Sequence, residues 1–421
     1  MLFGVVPSWQ AVSGDSCITR GHRTLGAPGA RLRKALVVIE TALAVTLLLS
    51  AGLLLKSFDA LGRVDLGLDA ENTLVATITP ATTRYASPQA LDRVVADIIT
   101  RVEGIPGVRS AGIINDLPLS GVQSTGSLAR TDRTYQPGEV PSAHYRTVTT
   151  DYFRTAGIPV VAGRGFDHTD RIDAPPSIVI SAGAAQRLFA GEDPLGKNVR
   201  IMGFNRDIVG VVGDVRDEGP AAPSPLTAYV PYGQEAQEWA LRTTTLMVSV
   251  RDGVPADYFT TVRAAITAVD ETTAINDVRT MEEVAASATR AERFRTTVMT
   301  VFAAVTLVLA VVGLAGVVAF QVAHRRRELG LRMALGATGK GVVSLVVRHG
   351  VRLSAVGALV GMGGAAILGR WFGHFLYTVT PLDPFVFFTV PVLFLVIAAG
   401  AALVPAVRAA GVDPAISLRE D

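Results

Sequence analysis

Cysteine and charge are both scarce in this sequence. One cysteine, Cys17, occurs among 421 residues, which excludes an intramolecular disulfide and any metal site built on several cysteines. Charged residues make up 18% of the chain, whereas a soluble protein carries about a quarter. The formal net charge of +2 is too small for a nucleic-acid-binding surface, which concentrates basic residues. No nucleic-acid partner is therefore expected.

The apolar excess is concentrated in four long runs. Hydrophobic residues form 49% of the chain, and the mean hydropathy is +0.38. A helix rises about 1.5 Å per residue, so about 20 apolar residues cross a hydrocarbon core of about 30 Å. We predict transmembrane helices over residues 31–56, 294–323, 342–369 and 384–407. The fold class is an α-helical membrane protein with a large mixed α/β extracytoplasmic domain inserted between helices 1 and 2.

Basic residues next to these runs predict the orientation. They cluster before the first run, between the second and third, and after the fourth, whereas the link between the third and fourth contains only Arg370. Because basic flanks stay in the cytoplasm, we place residues 1–30, 324–341 and 408–421 there. Both termini are then cytoplasmic, and residues 57–293 lie on the other side of the membrane.

The segment between the first two spans alternates between strand-like and helix-like patterns. Pro88–Glu103 has helical periodicity between the strand-like runs Thr73–Thr79 and Val108–Ile114, and a second strand–helix–strand pattern lies between residues 246 and 278. We therefore predict one subdomain that is interrupted by another. The first covers about residues 65–120 and 240–290, and the inserted one covers about residues 121–239.

The charged stretch Met281–Arg295 is predicted to be one helix that leads into the second span. It could transmit motion rigidly between the outer domain and the membrane. It could equally be a solvated connector. The sequence does not choose between these two roles.

Two short patterns resemble sites for chemistry, and neither supports one. Gly191–Asn198 approaches a phosphate-binding loop, but Asn198 replaces the hydroxyl that would bind magnesium, and two carboxylates occupy the loop. Asp167–Asp170, with Asp173, could ligate a metal but is more typical of a polar turn. Motifs for a catalytic serine or a zinc protease are absent from the sequence. We predict no catalytic, cofactor-binding or metal-binding residues, and hence a protein that is not an enzyme.

Three residues inside the spans suggest helix contacts. Glu40 lies near the cytoplasmic end of the first span, and a carboxylate at this depth can anchor the helix, contact a neighbouring helix or relay protons. Gly357 and Gly361 form a G-x-x-x-G pair in the third span, which allows close approach of two helices. The partner could be a second copy or a neighbouring span.

The cytoplasmic stretch 324–341 has the pattern of an amphipathic helix after three arginines. Such a helix can dock its apolar face in a groove of a soluble partner. The candidate contact residues are Arg327, Glu328, Leu329, Gly330, Leu331, Arg332, Met333, Ala334, Leu335, Gly336 and Ala337.

The N-terminus repeats part of the C-terminus. Val6–Thr19 can be laid over Val404–Ser417 without a gap, with Val-Pro near the start of each stretch and Asp followed by Ile near the end. Residues 1–20 could then be the end of a preceding copy of the same four-span module. A chance match is the alternative.

The order of these parts resembles the MacB/FtsX-like ABC transporter permeases. The run R-R-R-E-L-G-L-R-M-A-L-G-A from Arg325 to Ala337 is the most specific element. Further similar stretches are Asp151–Arg164, Glu192–Lys197, Val209–Arg216 and Asp413–Ile416. The likeness extends from about Arg31 onward and is greatest to one half, the C-terminal one, of the duplicated orphan permeases.

The resemblance implies a permease subunit of the inner (plasma) membrane without a cofactor of its own. Residues 327–337 would form a coupling helix on a separate ABC ATPase subunit. The other implied partners are a second four-span module, identical or homologous, membrane lipid and a periplasmic protein. ATP hydrolysis would move the periplasmic core domain and export an antibiotic, a peptide or a lipoprotein. The alternative is a membrane-anchored regulator or sensor of an envelope enzyme that transports nothing.

Overall fold

The computed structural model describes residues 27–81, 84–235, 237–242, 244–251, 253–324, 338–372 and 376–410. The chain divides into two units. One consists of Met1–Ser57 with Thr296–Asp421, and the other of Phe58–Arg295.

The described α-helices and strands are as follows in chain order. The helices are α1 (Ala27–Gly62), α2 (Pro88–Glu103), α3 (Tyr152–Thr155), α4 (Ala182–Phe189), α5 (Glu238–Arg242), α6 (Phe259–Val269), α7 (Met281–Ala288), α8 (Arg290–His324), α9 (Gly339–Phe372) and α10 (Pro384–Ala410). The strands are β1 (Thr73–Thr79), β2 (Val108–Ile114), β3 (Thr125–Arg130), β4 (Ser142–Val148), β5 (Val160–Gly163), β6 (Ser177–Ser181), β7 (Asn198–Ile201), β8 (Phe204–Val212), β9 (Thr227–Pro231), β10 (Thr244–Val250) and β11 (Ala274–Thr280).

In the part of the chain that the structure describes, four helices are long and apolar enough to cross a membrane. These segments are Lys34–Gly62, Arg290–Ala323, Gly339–Trp371 and Pro384–Arg408. α10 continues through Pro391 and Pro405, as membrane helices allow when neighbouring groups satisfy the freed carbonyls. The predicted fold class of four spanning helices, with a mixed α/β domain between the first two, is confirmed.

Apolar side chains, most of them aliphatic, form the core of the helical unit. Val37 and Leu49 of α1, Leu314 of α8, Ala358 of α9 and Phe394 of α10 are all buried in one cluster. In lipid, helices associate through close packing and interhelical hydrogen bonds rather than through the hydrophobic effect. The α1, α8, α9 and α10 helices therefore form one packed bundle.

The second unit is built on one path of hydrogen-bonded strands, in the order β11-β1-β10-β2-β4-β3-β7-β8-β6-β9. Its first four strands are antiparallel. The apolar sides of α2 and α6 share a core with these strands. Two strand–helix–strand units in this order form a ferredoxin-like arrangement, and β3 to β9 are inserted between β2 and β10.

The inserted strands close on themselves. β9 pairs in parallel with β4 and antiparallel with β6, so β4, β3, β7, β8, β6 and β9 form a ring around a core of their own. Only Ile114 and Val148 pair between β2 and β4 in the described chain. The ring thus leaves few exposed edges that could pair with another chain.

The predicted single helix over Met281–Arg295 is wrong. α7 ends at Ala288 and α8 begins at Arg290, with Thr289 between them at φ −99° and ψ 10°. α7 starts with a capping box formed by Thr280 and Glu283. Met281 and Val284 are buried in the core of the outer domain, which fixes the direction of α7. That burial is a tertiary constraint, and a local charge pattern does not reveal it.

Candidate functional site

The predicted coupling residues Arg327–Ala337 lie outside the described part of the chain. The structure places the two ends between which they run. α8 ends at His324 and α9 begins at Gly339. The Thr338 hydroxyl accepts a hydrogen bond of 3.3 Å from the backbone N–H of Gly341, an N-cap interaction that fixes where α9 starts.

Gly357 and Gly361 of α9 face α1. A Cβ atom on Gly357 would lie 2.6 Å from the Cβ of Thr41 and 2.9 Å from the carbonyl oxygen of Val38. One on Gly361 would lie 3.1 Å from the Cα of Ala42 and 3.0 Å from the Cβ of Val45. Because these atoms belong to or adjoin the α1 backbone, they cannot move aside. The two glycines therefore set the separation of α1 and α9.

A hydrogen bond adds to this crossing. The Thr46 hydroxyl lies 2.9 Å from the carbonyl oxygen of Gly361 and 2.8 Å from that of Ala42. Its single proton can satisfy one of these acceptors at a time. The hydroxyl of Thr46 can reach the carbonyl oxygen of Gly361 because this position of α9 has no side chain. Thr46 and Gly361 therefore form one contact between α1 and α9.

Glu40 faces α8. A Cβ atom on Gly313 would overlap the Glu40 carboxylate, so the absence of a side chain at Gly313 makes room for it. Glu40 is half-buried and makes no ion pair with any described residue. The carboxylate therefore lies at the seam between α1 and α8, a position that suits a helix contact.

An ion pair and a helix cap join α1 to α10 near the C-terminal end of α1. Lys56 Nζ lies 2.5 Å from an Asp383 oxygen, and the other oxygen of Asp383 accepts a 3.2 Å hydrogen bond from the N–H of Val386. The hydrogen bond from Lys56 lowers the pKa of Asp383. Ser57 accepts a 2.8 Å bond from the Tyr377 N–H. The end of α1 is thus tied to the start of α10 and to the segment before it.

A buried ion cluster occupies the outer domain where β2, β4 and the chain after β8 meet. Arg146 is 1% exposed and binds Asp217 at 2.9 Å and Asp116 at 3.1 Å. His144 Nδ1 lies 2.8 Å from the same Asp217 oxygen. The backbone carbonyl of Asp217 also accepts a hydrogen bond from the backbone N–H of Leu119. Since buried charges need partners, these side chains fix one arrangement of three chain segments.

The two patterns that resembled chemical sites have structural partners. Arg164 binds Asp170 through two nitrogens, at 2.5 and 3.0 Å, while Asp167 accepts a 2.8 Å bond from the N–H of Thr169. Lys197 pairs with Glu192, so it is not free for phosphate. Within the described ranges, no group of three or more metal-ligating side chains comes together.

Family comparison places this architecture. The sequence matches the MacB-like periplasmic core domain over residues 35–269 and the FtsX-like permease C-terminal domain over residues 300–414. The first match alone covers more than half of the chain. The chain belongs to the MacB/FtsX-like ABC permeases. The predicted resemblance is confirmed, and the chain is a multi-pass membrane protein of a transporter family.

Several curated relatives share this sequence similarity. A macrolide export ATP-binding/permease protein of Neisseria meningitidis is 25% identical over 296 residues, which cover 68% of this chain and 45% of the relative. The ABC transporter permease YknZ of Bacillus subtilis is 27% identical over 240 residues, covering 55% of this chain and 59% of that protein. The chain therefore spans only about half of the length of these relatives.

Solved outer domains of the family are also similar. The periplasmic region of MacB from Actinobacillus actinomycetemcomitans has 17% identity and a TM-score of 0.36, covering 52% of this chain and 94% of that one. The extracellular domain of YknZ has 17% identity and a TM-score of 0.33, covering 49% and 100%.

Sequence reasoning missed the Lys56–Asp383 pair and the Arg146 cluster. Asp383 could have been found, because an aspartate directly before a proline and an apolar run is a helix-start signal. Arg146 lies in a run of alternating polar and apolar residues, which predicts an exposed side chain. Its burial depends on Asp116 and Asp217, which are distant in sequence.

Proposed function

We propose that this permease subunit transmits movement from a separate ATPase to its outer domain, a process called mechanotransmission. The ATPase would dock on the coupling segment Arg327–Ala337. The observation that carries the proposal is α8, one helix of 35 residues that runs from Arg290 to His324, next to that segment. Since α8 contains no proline, the commonest cause of a sharp kink, α8 would carry a displacement of the coupling segment along its axis.

The packing of the bundle supports a sliding role for α8. Three of the contacts described above, Thr46 on Gly361, Lys56 on Asp383 and Ser57 on Tyr377, tie α1 to α9, α10 and the segment between them. The buried apolar side chains of α8 are Ala303, Ala310, Leu314 and Val318, and Gly313 faces Glu40. A contact surface of mostly small residues allows shear between packed helices.

We propose the remaining roles on the same basis. Gly357 and Gly361 pack α9 on α1, and Glu40 is a contact of α1 with α8. The outer domain consists of a porter-like subdomain, about residues 65–120 and 240–290, and an inserted one, about residues 121–239. The basic flanks support cytoplasmic termini and an inner-membrane location. A second four-span module and a periplasmic protein would complete the assembly.

The cargo is proposed from the relatives. Proteins with similar sequences are named for macrolide export in Neisseria meningitidis and for syringafactin export in Pseudomonas syringae. These names support export of an antibiotic or a peptide by this chain, and a lipoprotein is the third candidate. Deletion of the gene should then raise the intracellular level of such a compound. A cell-wall defect without any change in export would instead favour the alternative function, a membrane-anchored regulator or sensor of an envelope enzyme.

The coupling segment can be tested with Leu331→Asp and Ala334→Asp. We expect either variant to insert normally. The amount of ATPase that co-purifies with it from native membranes should be at least about tenfold lower than with the wild type. The physical reason is that a carboxylate in an apolar contact loses its hydration without gaining a partner, and about 1.4 kcal/mol already gives a factor of ten. Stimulation of the ATPase's hydrolysis of ATP by the permease should fall together with the amount of bound ATPase.

Thr338→Asp is the matched control. It adds the same carboxylate at the end of the same segment, where aspartate caps a helix as well as threonine does. We expect this variant to keep its ATPase. Full retention of the ATPase by Leu331→Asp and Ala334→Asp would refute the docking role of this segment, and so would equal loss from all three variants.

A further inference from the structure

Two arginines share the outward face of α9. Arg348 and Arg352 are one turn apart, and both are exposed. Gly350, between them, faces the bundle, because its added Cβ would lie 3.1 Å from Ala402 and 3.5 Å from Val318. At about 100° per residue, each arginine lies on the side opposite to Gly350. The arginines therefore point away from the packed helices.

The same face continues as an apolar stripe. Val356 is 52% exposed and Leu359 is 69% exposed. Around the helix axis, Val356 lies within about 40° of Arg352, and Leu359 lies within about 20° of both arginines. In a membrane-spanning helix, exposed apolar side chains of this kind contact acyl chains. The face thus has a charged part followed by a part that fits hydrocarbon.

Contacts across the bundle place the arginines at a membrane boundary. Gly357 of α9 is level with Thr41 of α1. Counting along both helices from this contact, Arg352 lies about 20 residues, or about 30 Å, from the level of the Lys56–Asp383 pair. This separation equals the thickness of a hydrocarbon core. Arg352 would then lie at the boundary of one leaflet, and Arg348 one turn further into its headgroup layer.

Neither arginine has a protein partner in the described chain. Their side chains make no hydrogen bond or ion pair with any residue that the structure describes. A guanidinium group stays charged and presents several N–H donors that match phosphate oxygens. At the level of the headgroups, lipid phosphates are the abundant acceptors.

We propose that Arg348 and Arg352 form a binding site for an anionic phospholipid. The lipid belongs to the leaflet at the N-terminal end of α9, its phosphate lies between the two guanidinium groups, and its acyl chains follow Val356 and Leu359. A zwitterionic lipid offers the same phosphate, but its ammonium group opposes the two positive charges. The site therefore selects a lipid such as phosphatidylglycerol over phosphatidylcholine.

Native mass spectrometry of the full chain tests this site. The purified protein is exposed to equal amounts of phosphatidylglycerol and phosphatidylcholine in detergent, and the retained lipid is counted. We expect the wild type to prefer phosphatidylglycerol, Arg348→Gln and Arg352→Gln each to lose about fivefold in that preference, and the double variant to lose it completely. Arg348→Lys with Arg352→Lys should keep most of the preference because it keeps the charge.

Arg370→Gln is the matched control, since Arg370 is an exposed arginine at the other end of the same helix. It should leave the preference unchanged, and size-exclusion profiles should show that all variants are folded. Unchanged preference in the double variant, or an equal loss in Arg370→Gln, would overturn the proposal. Unchanged lipid binding with loss of a co-purifying protein would also overturn it, because the face would then dock a protein. The lipid measurement needs no ATPase, so it is independent of the proposed coupling role.

Discussion

Arg146→Ala is expected to lower the free energy of unfolding of the outer domain by about 3–5 kcal/mol. The substitution removes the partner of Asp217, whose side chain is 3% exposed, and of Asp116. Asp217 would then remain buried with only His144 beside it. Removing one member of a buried ion cluster is costly because the remaining charge has lost both its water and its partner.

The unfolding free energy can be measured in the full chain by urea titration. Trp239 lies in the outer domain, so its fluorescence reports on that domain if Trp9 and Trp371 are replaced by phenylalanine. Arg63→Ala is the control, because Arg63 pairs with Asp59 at an exposed site, where an ion pair contributes about 0–1 kcal/mol. A loss below about 1 kcal/mol for Arg146→Ala would show that the cluster does not hold the domain together.

Gly361→Leu is expected to prevent assembly of the helical bundle. A side chain at this position meets the backbone of Ala42 and the Cβ of Val45, and it displaces Thr46 from its hydrogen bond with the Gly361 carbonyl. Overpacking in a tight core costs about 1–3 kcal/mol or more. In lipid, close packing is itself the main force between helices, so this contact cannot be replaced by another.

Gly363→Leu is a close control for this prediction. Gly363 is on the same helix, and an added Cβ there meets nothing within 4 Å. We expect Gly363→Leu to give a normal monodisperse peak in detergent, and Gly361→Leu to give aggregate or a much lower thermal midpoint. Equal behaviour of the two variants would show that α9 does not depend on its contact with α1.

Strong local patterns predicted much of the fold. The helix at Pro88–Glu103 and the strand at Val108–Ile114 are confirmed with the same bounds, because their apolar residues repeat with the period of one helix face or fill one buried strand. β3 and β9 were missed for opposite reasons. In β3 only Leu128 is buried, while β9 is short and buried throughout, so neither alternates as a half-buried strand does.

Contacts between distant segments could not be predicted. The G-x-x-x-G pair indicated a close helix contact, but only the structure shows that α1 faces Gly357 and Gly361. Nothing in the sequence around Glu40 indicates Gly313, which lies on another helix. The parallel pairing of β4 with β9 also depends on the path of the chain between them, and a local pattern contains no information about that path.

The position of the insertion also determines the order in which the outer domain can fold. Gly112 of β2 pairs with Met247 of β10, so β2 must wait until the whole inserted part has been made and has crossed the membrane. Chain segments fold as they emerge, and closing so long a loop is slow unless the loop is already ordered. The ring of β3 to β9 is complete before β10 appears and brings the two ends together. Folding of the ring first therefore shortens the search that completes the sheet.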